Sequence, residues 1–182
     1  LLRQGHRPHW MQSTWAGVTP LLAAGLPREY RLTRAVGIFG QVMAEYMLTY
    51  MLGHERHVLS RLVSQVERRW DDRPGCSLQG RKVLIVGTGD IGQAVAEFLS
   101  PFGVVLYGVA SEAREQPPFV EVAALDDLAR LVGQVDYVLN LLPDTPATHD
   151  IFDAAMFRRF QPTALFINAG RGTSVVDAEL LA

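Results

Sequence analysis

The chain has 182 residues, of which 48% are apolar and 20% are charged. This size and composition predict one globular domain, or one domain with part of a second, and no apolar run is long enough to cross a bilayer. A formal net charge of −2 argues against nucleic acid as a partner. Cys76, the single cysteine, cannot form an internal disulfide or build a cysteine zinc site, so a reducing cytoplasm is the expected location.

The first 70 residues change from irregular to helical patterning. A short strand-like stretch begins at Trp10, residues 28–34 are expected to be a connector, and residues 35–39 form a short apolar stretch. From Gln41, apolar and aromatic residues recur at three- and four-residue spacing, which predicts a helix bent near Gly53 and continuing to Trp70. Its Met and Tyr stripe is interpreted as a packing face, within the domain or across a dimer. Both chain ends, Leu1 without a preceding Met and Ala182 inside a predicted helix, are expected to be truncations.

Strands and helices alternate in the rest of the chain. Continuously apolar segments predict strands at residues 81–87, 104–109, 136–142 and 164–168. Helical segments are predicted at residues 90–102, 126–132, 153–160 and 177–182. Apolar strands separated by helices indicate a parallel sheet that is covered on both faces. The predicted fold class is therefore α/β, a doubly wound parallel sheet.

A glycine-rich turn follows the first of these strands and has the spacing G-x-G-x-x-G. It is predicted to bind a dinucleotide through Gly87, Gly89, Asp90, Ile91 and Gly92. The first glycine allows the tight turn, the second lets the backbone approach a pyrophosphate, and the third lets helix and strand pack closely. The helix start then supplies unpaired N–H groups and partial positive charge to the phosphates.

The end of the next strand indicates which nicotinamide dinucleotide binds. An NAD-binding protein normally has an acidic residue about 20 positions on, for the ribose hydroxyls, but that position falls near Ala110. Ser111 and Arg114 follow, and they could receive a 2′-phosphate. We therefore expect NADPH (NADP) to be favoured, with NAD possible. Glu112 is a competing ribose ligand, and Arg114 as an ordinary loop charge is the alternative interpretation.

Four motifs together resemble the D-isomer-specific 2-hydroxyacid dehydrogenase family, and most closely its glyoxylate/hydroxypyruvate reductase branch. They are the glycine turn, residues 12–18 (QSTWAGV), residues 36–46 continuing to 53–56 (VGIFGQVMAEY and GHER), and residues 142–148 (LPDTPAT) with 168–172 (NAGRG). The resemblance implies that residues 1–35 are a remnant of a flavodoxin-like substrate domain. Residues 36–182 would be a Rossmann-type NAD(P)-binding domain, truncated at its C-terminal end. It also implies a homodimer formed through the dinucleotide-binding domain.

The resemblance assigns roles to individual residues. Arg171 would be the catalytic arginine that binds the substrate and polarises its ketone, and the backbone at Ala16 and Gly17 would clasp the substrate carboxylate. The cofactor would also be contacted by Leu142, Pro143, Thr148, Asn168, Ala169 and Gly170. The plainer interpretations are an Arg171–Asp177 pair, an ordinary turn at residues 16–17 and a simple strand exit at residues 142–148.

The expected reaction is NAD(P)H-dependent reduction of a small 2-oxo acid to the D-2-hydroxy acid. The family's histidine and glutamate lie after the arginine motif, so residues 1–182 alone are expected to show no turnover. None of His6, His9, His54, His57 or His149 lies in a matching motif, and no metal site is predicted. The alternatives are a dinucleotide-sensing corepressor of the same fold, or a phosphoglycerate or formate dehydrogenase.

Overall fold

The structure is a computed structural model that describes residues 2–181, and the chain divides into two compact units. The first unit ends at Phe39 and contains two short parallel strands, β1 (Trp10–Ser13) and β2 (Arg31–Arg34). The expectation of a connector over residues 28–34 was wrong where β2 forms. The sequence Arg-Leu-Thr-Arg carries no apolar run, and main-chain pairing with β1 makes the strand.

The second unit begins at Gly40 with two helices, α1 (Gly40–Glu55) and α2 (Val58–Val66). The predicted bend exists, but it falls at His57, which has a φ of 55°, while Gly53 stays inside α1. Met47 and Met51 are fully buried in the core. The stripe predicted as a packing face therefore packs through its methionines.

The helix α2 ends four residues before the predicted position. The Arg69 N–H donates to the Ser64 carbonyl at 2.8 Å and the Arg68 N–H donates to the Gln65 carbonyl at 3.1 Å. Arg68 has a φ of 55°, so this end is a Schellman motif that closes the helix at Val66. The extension to Trp70 was wrong because the left-handed position is occupied by arginine, without the glycine that usually marks such an end.

Five parallel strands form one sheet in the order β5-β4-β3-β6-β7. In chain order the elements are β3 (Lys82–Val86), α3 (Asp90–Leu99), β4 (Val105–Ala110), β5 (Glu121–Ala124), α4 (Leu128–Leu131), β6 (Tyr137–Asn140), α5 (Ala154–Phe157), β7 (Leu165–Asn168) and α6 (Asp177–Leu180). The four predicted strands are present. The edge strand β5, which has only four residues, was not predicted.

Both faces of the sheet are covered. Val83 and Ile85 of β3 point into a cluster with α1 and α3, whereas Leu84 and Val86 point into a cluster with α4 and Phe152. All four side chains are fully buried, as expected for a strand with helices on each side. The predicted α/β fold with a doubly wound parallel sheet is confirmed. Of the helices in residues 2–181, none has the length and apolar character needed to span a membrane.

Candidate functional site

The predicted cofactor residues of the second unit lie at one edge of the sheet. The glycine turn follows β3, Ser111 and Arg114 follow β4, the segment from Leu142 follows β6, and the segment to Arg171 follows β7. Because these strands are parallel, their carboxyl ends meet at the same edge. Ligands of open α/β sheets bind at this edge.

The glycines of the turn meet different surroundings. Gly87 has a φ of 105° and packs against the Leu141 backbone, where an added Cβ would lie 3.0 Å from the carbonyl carbon. At Gly92 an added Cβ would lie 2.1 Å from the Gly87 carbonyl oxygen. At Gly89, in contrast, it would meet nothing within 4 Å. Two glycines thus pack the turn tightly, and the middle one leaves open space on the side where a pyrophosphate would lie.

The helix α3 begins directly behind this open space. Its N-cap is Gly89, and no side chain caps the helix start. The first backbone bond of the helix is donated by Gln93 to the Gly89 carbonyl at 2.8 Å, so the N–H groups of Ile91 and Gly92 precede the helical ladder. Such N–H groups and the helix dipole fit an anionic phosphate. These residues therefore fit a dinucleotide.

Arg114 is held against the turn by neutral groups. Its Nη2 donates to the Thr88 hydroxyl at 2.7 Å, and its Nε donates to the Gln116 side-chain oxygen at 2.7 Å. Gln116 in turn donates to the Thr88 carbonyl at 3.0 Å and to the Gln93 side-chain oxygen at 2.6 Å. Within residues 2–181, no carboxylate forms an ion pair with Arg114. Its charge is thus ordered and uncompensated, and Ser111 is exposed nearby in sequence.

A buried polar network organises the segment after β7. The fully buried Asn140 donates to the Asn168 side-chain oxygen at 3.0 Å and to the Ser174 hydroxyl oxygen at 2.7 Å. Asn168 also accepts from the Gly170 N–H at 3.1 Å, and the Ser174 hydroxyl donates to the Arg171 carbonyl at 2.7 Å. Both sides of the 168–171 backbone are therefore fastened to β6 and to the following turn.

Gly170 connects this segment to the loop after β6. An added Cβ at Gly170 would lie 3.0 Å from the Leu142 nitrogen, which shows how closely the two backbones pass. Leu142 is buried, and Ala169 packs against the apolar core. Since Gly87 packs on the adjacent Leu141, the turn after β3 and the segment after β7 both contact the β6 loop.

The Arg171 side chain is exposed and carries an uncompensated charge. Its guanidinium donates to the Gly170 carbonyl at 3.2 Å. The alternative pair with Asp177 is not formed, and Arg171 makes no ion pair with any described carboxylate. An arginine on a fastened backbone can hold a carboxylate in a two-point contact.

The loop that contains Pro143 and Thr148 is held by its own hydrogen bonds. The Thr148 hydroxyl donates to the Pro143 carbonyl at 2.6 Å and accepts from the Thr145 N–H at 3.0 Å. Thr148 is buried, whereas Pro143 is exposed. The Thr148 side chain thus shapes the loop, and the surface open to a ligand is that of Pro143.

Ala16 and Gly17 lie in the first unit, in the loop after β1. The Ala16 carbonyl accepts from the Arg34 guanidinium at 2.8 Å. Both residues are half-buried, and the neighbouring Trp15 is 74% exposed. Their assignment to a substrate carboxylate remains a prediction.

A further network, which includes an ion pair, lies at the opposite, amino-terminal edge of the sheet. The buried Glu55 accepts from the Arg81 Nε at 2.7 Å and from the buried Tyr137 hydroxyl at 2.6 Å. Burial raises the pKa of the Glu55 carboxyl, but the bonds from Arg81 and Tyr137 outweigh it and hold that pKa below its ordinary value. Burial and the adjacent carboxylate raise the pKa of Tyr137 well above its usual range. Arg81 and Asp136 precede β3 and β6, so this network stabilises the end remote from the glycine turn.

Four site residues were missed from the sequence. They are Thr88, Gln116, Asn140 and Ser174, which orient the predicted residues through hydrogen bonds. Asn140 left a signal, because an amide inside the apolar run DYVLNLL must find partners when buried. Thr88, Gln116 and Ser174 lie between the predicted strands and helices, where polar residues are common and give no such signal. Among the described residues there is also no group of three His, Cys, Asp or Glu that could hold a metal.

Comparison with known proteins identifies the family. The family described as D-isomer specific 2-hydroxyacid dehydrogenase, NAD binding domain, matches residues 48–182. A D-isomer specific 2-hydroxyacid dehydrogenase family protein from Aeromonas salmonicida is 38% identical, with a TM-score of 0.92 over 99% of this chain and 58% of its own. An NADPH-dependent glyoxylate/hydroxypyruvate reductase from Sinorhizobium meliloti, solved with NADP and sulfate, is 29% identical, with a TM-score of 0.83 over 95% of this chain and 56% of its own.

A D-3-phosphoglycerate dehydrogenase from Mycobacterium bovis is 33% identical over 142 residues, which are 75% of this chain and 26% of that protein. The chain therefore spans little more than half the length of the two solved proteins. The family match covers the glycine turn, the Arg114 segment, the β6 loop and the Arg171 motif. The chain belongs to the D-isomer-specific 2-hydroxyacid dehydrogenase family, and residues 48–182 match its NAD-binding domain.

Proposed function

We propose that the protein carrying this chain transfers a hydride from NADPH to C2 of a small 2-oxo acid, of the glyoxylate or hydroxypyruvate type. The product is the D-2-hydroxy acid. The single observation that carries the proposal is Arg171. Its exposed guanidinium, which forms no ion pair with a carboxylate of residues 2–181, follows β7 at the sheet edge that also bears the glycine turn.

The substrate class follows from the chemistry of that arginine. A 2-oxo acid has a carboxylate and a ketone on adjacent carbons, and a planar guanidinium can contact both. Arg171 would hold the carboxylate and stabilise negative charge as it develops on the ketone oxygen. The backbone amides of Ala16 and Gly17 are also proposed to bind a substrate carboxylate.

The reaction requires one hydride and one proton. NADPH, when bound, supplies the hydride that forms the new C2–H bond, while the electrons of the C2=O π bond move to oxygen. That oxygen takes a proton, and the donor is expected to be a histidine paired with a carboxylate. The family resemblance expects both after the arginine motif, so Arg171 here acts by binding and charge stabilisation.

The preference for NADPH rests on Arg114. Thr88 and Gln116 hold its guanidinium against the glycine turn, and no carboxylate in the described part of the chain forms an ion pair with it. A 2′-phosphate would supply that partner, with Ser111 as a further donor. The similar Sinorhizobium meliloti reductase is described as NADPH-dependent. NAD would bind the same turn without this contact.

The activity is tested with the protein that carries this chain, by following glyoxylate- and hydroxypyruvate-dependent loss of NADPH absorbance. Replacing Arg171→Met is expected to lower kcat/KM by about a hundredfold or more, since it removes a charge-assisted contact to the transition state. Arg159→Met is the matched control, because Arg159 is exposed and its side chain bonds to no described group. Equal activity of the two variants would contradict the role of Arg171.

Cofactor choice is tested separately by titrating NADPH and NADH and following nicotinamide fluorescence. Arg114→Met should weaken NADPH binding by about ten- to hundredfold, the value of a lost charge-assisted contact. NADH binding should change little. Tighter binding of NADH than NADPH by the unsubstituted protein would end this part of the proposal.

A phosphorylated hydroxy acid is the second candidate substrate. It is favoured by the 33% identity to the Mycobacterium bovis phosphoglycerate dehydrogenase. Including 3-phosphoglycerate with NAD(P) in the same assay separates the two substrates. Cofactor binding without turnover of any hydroxy or oxo acid would instead point to a dinucleotide-sensing, corepressor-like protein.

We also propose a homodimer formed through the dinucleotide-binding domain. Besides its buried methionines, α1 exposes Val42, Tyr46 and Tyr50, and α2 exposes Leu59 and Leu62, with exposed fractions from 46% to 72%. Such a row of large apolar side chains on adjacent helices is suited to burial against a second copy. Light scattering tests it: Leu59→Glu should yield monomers if this face is the interface.

A further inference from the structure

The loop after β1 is fastened by two side chains that stand next to each other. Ser13 and Arg34 are the last register pair of β1 and β2. Parallel pairing therefore brings a hydroxyl and a guanidinium to the same end of the first unit, directly before the loop that contains Ala16 and Gly17.

Each of these side chains holds one carbonyl of the loop. The Ser13 hydroxyl, on a residue that is 8% exposed, donates to the Trp15 carbonyl at 3.1 Å and accepts from the Trp15 N–H at 3.1 Å. The Arg34 Nη1 donates to the Ala16 carbonyl at 2.8 Å. Two successive peptide groups are thus oriented by side chains.

This fastening fixes where the next two amides point. The peptides after Trp15 and Ala16 are trans, and in a trans peptide the N–H points opposite to the C=O. Holding the two carbonyls therefore turns the N–H groups of Ala16 and Gly17 away from Ser13 and Arg34. Among the described residues, neither N–H has an acceptor.

Arg34 also brings charge to the loop. No described carboxylate forms an ion pair with Arg34. A cation bound to the Ala16 carbonyl polarises that peptide and makes the attached Gly17 N–H a better donor to an anion. Two oriented amides beside an unpaired positive charge have the chemistry of a carboxylate receptor.

We propose that Ser13 and Arg34 are positioning residues, which hold the amides of Ala16 and Gly17 toward the carboxylate of the 2-oxo acid. The inference rests on the proposed function and adds two residues to it. Neither side chain needs to touch the substrate, because each acts through the backbone carbonyl that it holds.

The test compares variants of the protein that carries this chain. Arg34→Met removes the donor and the charge, and it should raise the KM for glyoxylate or hydroxypyruvate by about tenfold or more. The KM for NADPH should not change. Ser13→Ala should shift the same constant in the same direction, whereas Arg34→Lys and Ser13→Thr should restore most of the affinity. Arg31→Met is the control, since Arg31 is an exposed residue of the same strand whose side chain bonds to no described group.

A second measurement separates this inference from the proposed function. Amide NMR of the unsubstituted protein should show the Ala16 and Gly17 N–H signals shifting when oxamate, a 2-oxo acid analogue, is added. If the unsubstituted protein neither reduces 2-oxo acids nor shows these shifts, the proposed function itself fails.

If the unsubstituted protein is active and Arg34→Met leaves the substrate KM unchanged, the positioning role is wrong. Equal rises in the KM for substrate and for NADPH would also overturn it, because they indicate general loosening of the fold. If Arg34→Met fails to fold, Ser13→Ala and Arg34→Lys test the positioning role instead, through their effects on the KM for the 2-oxo acid compared with the KM for NADPH.

Discussion

Replacing Gly92 or Gly89 of the glycine turn by alanine should have different effects, because an added methyl group would clash at Gly92 and fit in open space at Gly89. In Gly92→Ala, the new Cβ would lie 2.1 Å from the Gly87 carbonyl oxygen, whereas real Cβ atoms essentially never come within 3.0 Å of another atom. The turn and α3 must therefore separate by at least about 0.9 Å, the difference between these two distances.

This separation should lower the free energy of unfolding of Gly92→Ala. Forcing a methyl group into a packed interior costs about 1–3 kcal/mol, and this contact is to backbone that cannot rotate away. Alanine returns up to about 1 kcal/mol through its better helix propensity. Because the contact is to rigid backbone, we take the upper end of the packing cost, about 3 kcal/mol, and subtract the helix-propensity gain of about 1 kcal/mol. We therefore expect the free energy of unfolding to fall by about 2 kcal/mol. NADPH binding should weaken as well, because the displaced turn no longer presents its amides together.

Gly89→Ala is the matched control. Its Cβ would have nothing within 4 Å, and its φ of −72° and ψ of −160° suit any residue. The midpoint of urea unfolding should therefore be nearly unchanged. NADPH titration should show weak binding, because the methyl group would occupy the open space where a pyrophosphate is expected to lie. The reasoning is refuted if Gly92→Ala is as stable as the parent protein, or if Gly89→Ala binds NADPH as tightly.

Three further predictions follow from the hydrogen-bond networks. Burial raises the pKa of Glu55, but its hydrogen bonds from Arg81 and Tyr137 outweigh burial and hold that pKa below its ordinary value. Ionised Glu55 therefore stabilises the fold at pH values above its pKa in the unfolded chain, and this stabilisation is lost as pH falls through its lower pKa in the folded protein. Glu55→Gln should consequently reduce the pH dependence of the free energy of unfolding on the acid side, measured by urea unfolding. Gln116→Leu should weaken NADPH binding about tenfold by releasing Arg114. An equal loss of NADH affinity in the same titration would show that Gln116 only shapes the glycine turn. Asn140→Leu should cost about 1–3 kcal/mol in urea unfolding by leaving buried donors and acceptors unpaired, and it should lower turnover because the Arg171 backbone loses its anchor.

The parts of the fold that follow from local pattern could be predicted. Four continuous apolar runs identified β3, β4 and β6 inside the sheet and β7 at its edge. Such strands are apolar throughout because helices cover both faces of the sheet. The glycine turn was predictable because its spacing is imposed by backbone contacts, which Gly87 and Gly92 make in the structure.

The elements that were missed owe their form to partners distant in the chain. β2 is polar and forms because β1 lies beside it, 21 residues earlier in register. β5 has four residues and pairs with β4 at the edge of the sheet. β2 has one apolar residue in four, and β5 is too short for its apolar residues to form a recognisable run. Pairing with a neighbouring strand defines both.

The supporting residues of the site were hidden for the same reason. Asn140 and Ser174 are 34 positions apart, yet they share one hydrogen bond that fixes the backbone before and after Arg171. Thr88 and Gln116 are 28 positions apart and hold Arg114 together. A sequence indicates which residue types a site contains more readily than it indicates which residues hold them in place.

The spacing of parallel strands is consistent with the proposal that one edge of the sheet faces both a dinucleotide and a keto acid. Neighbouring strands lie about 4.8 Å apart, and β3 and β7 are separated only by β6. The glycine turn and the Arg171 segment are therefore about 10 Å apart across the edge. Both pack on the β6 loop, through Gly87 on Leu141 and Gly170 on Leu142. A dinucleotide whose phosphates bind at the turn would therefore have the β6 loop between its phosphates and Arg171. A side chain larger than hydrogen at either glycine would change that separation. The proposed distance between cofactor and substrate would therefore depend on backbone packing, which no polar residue of the site supplies.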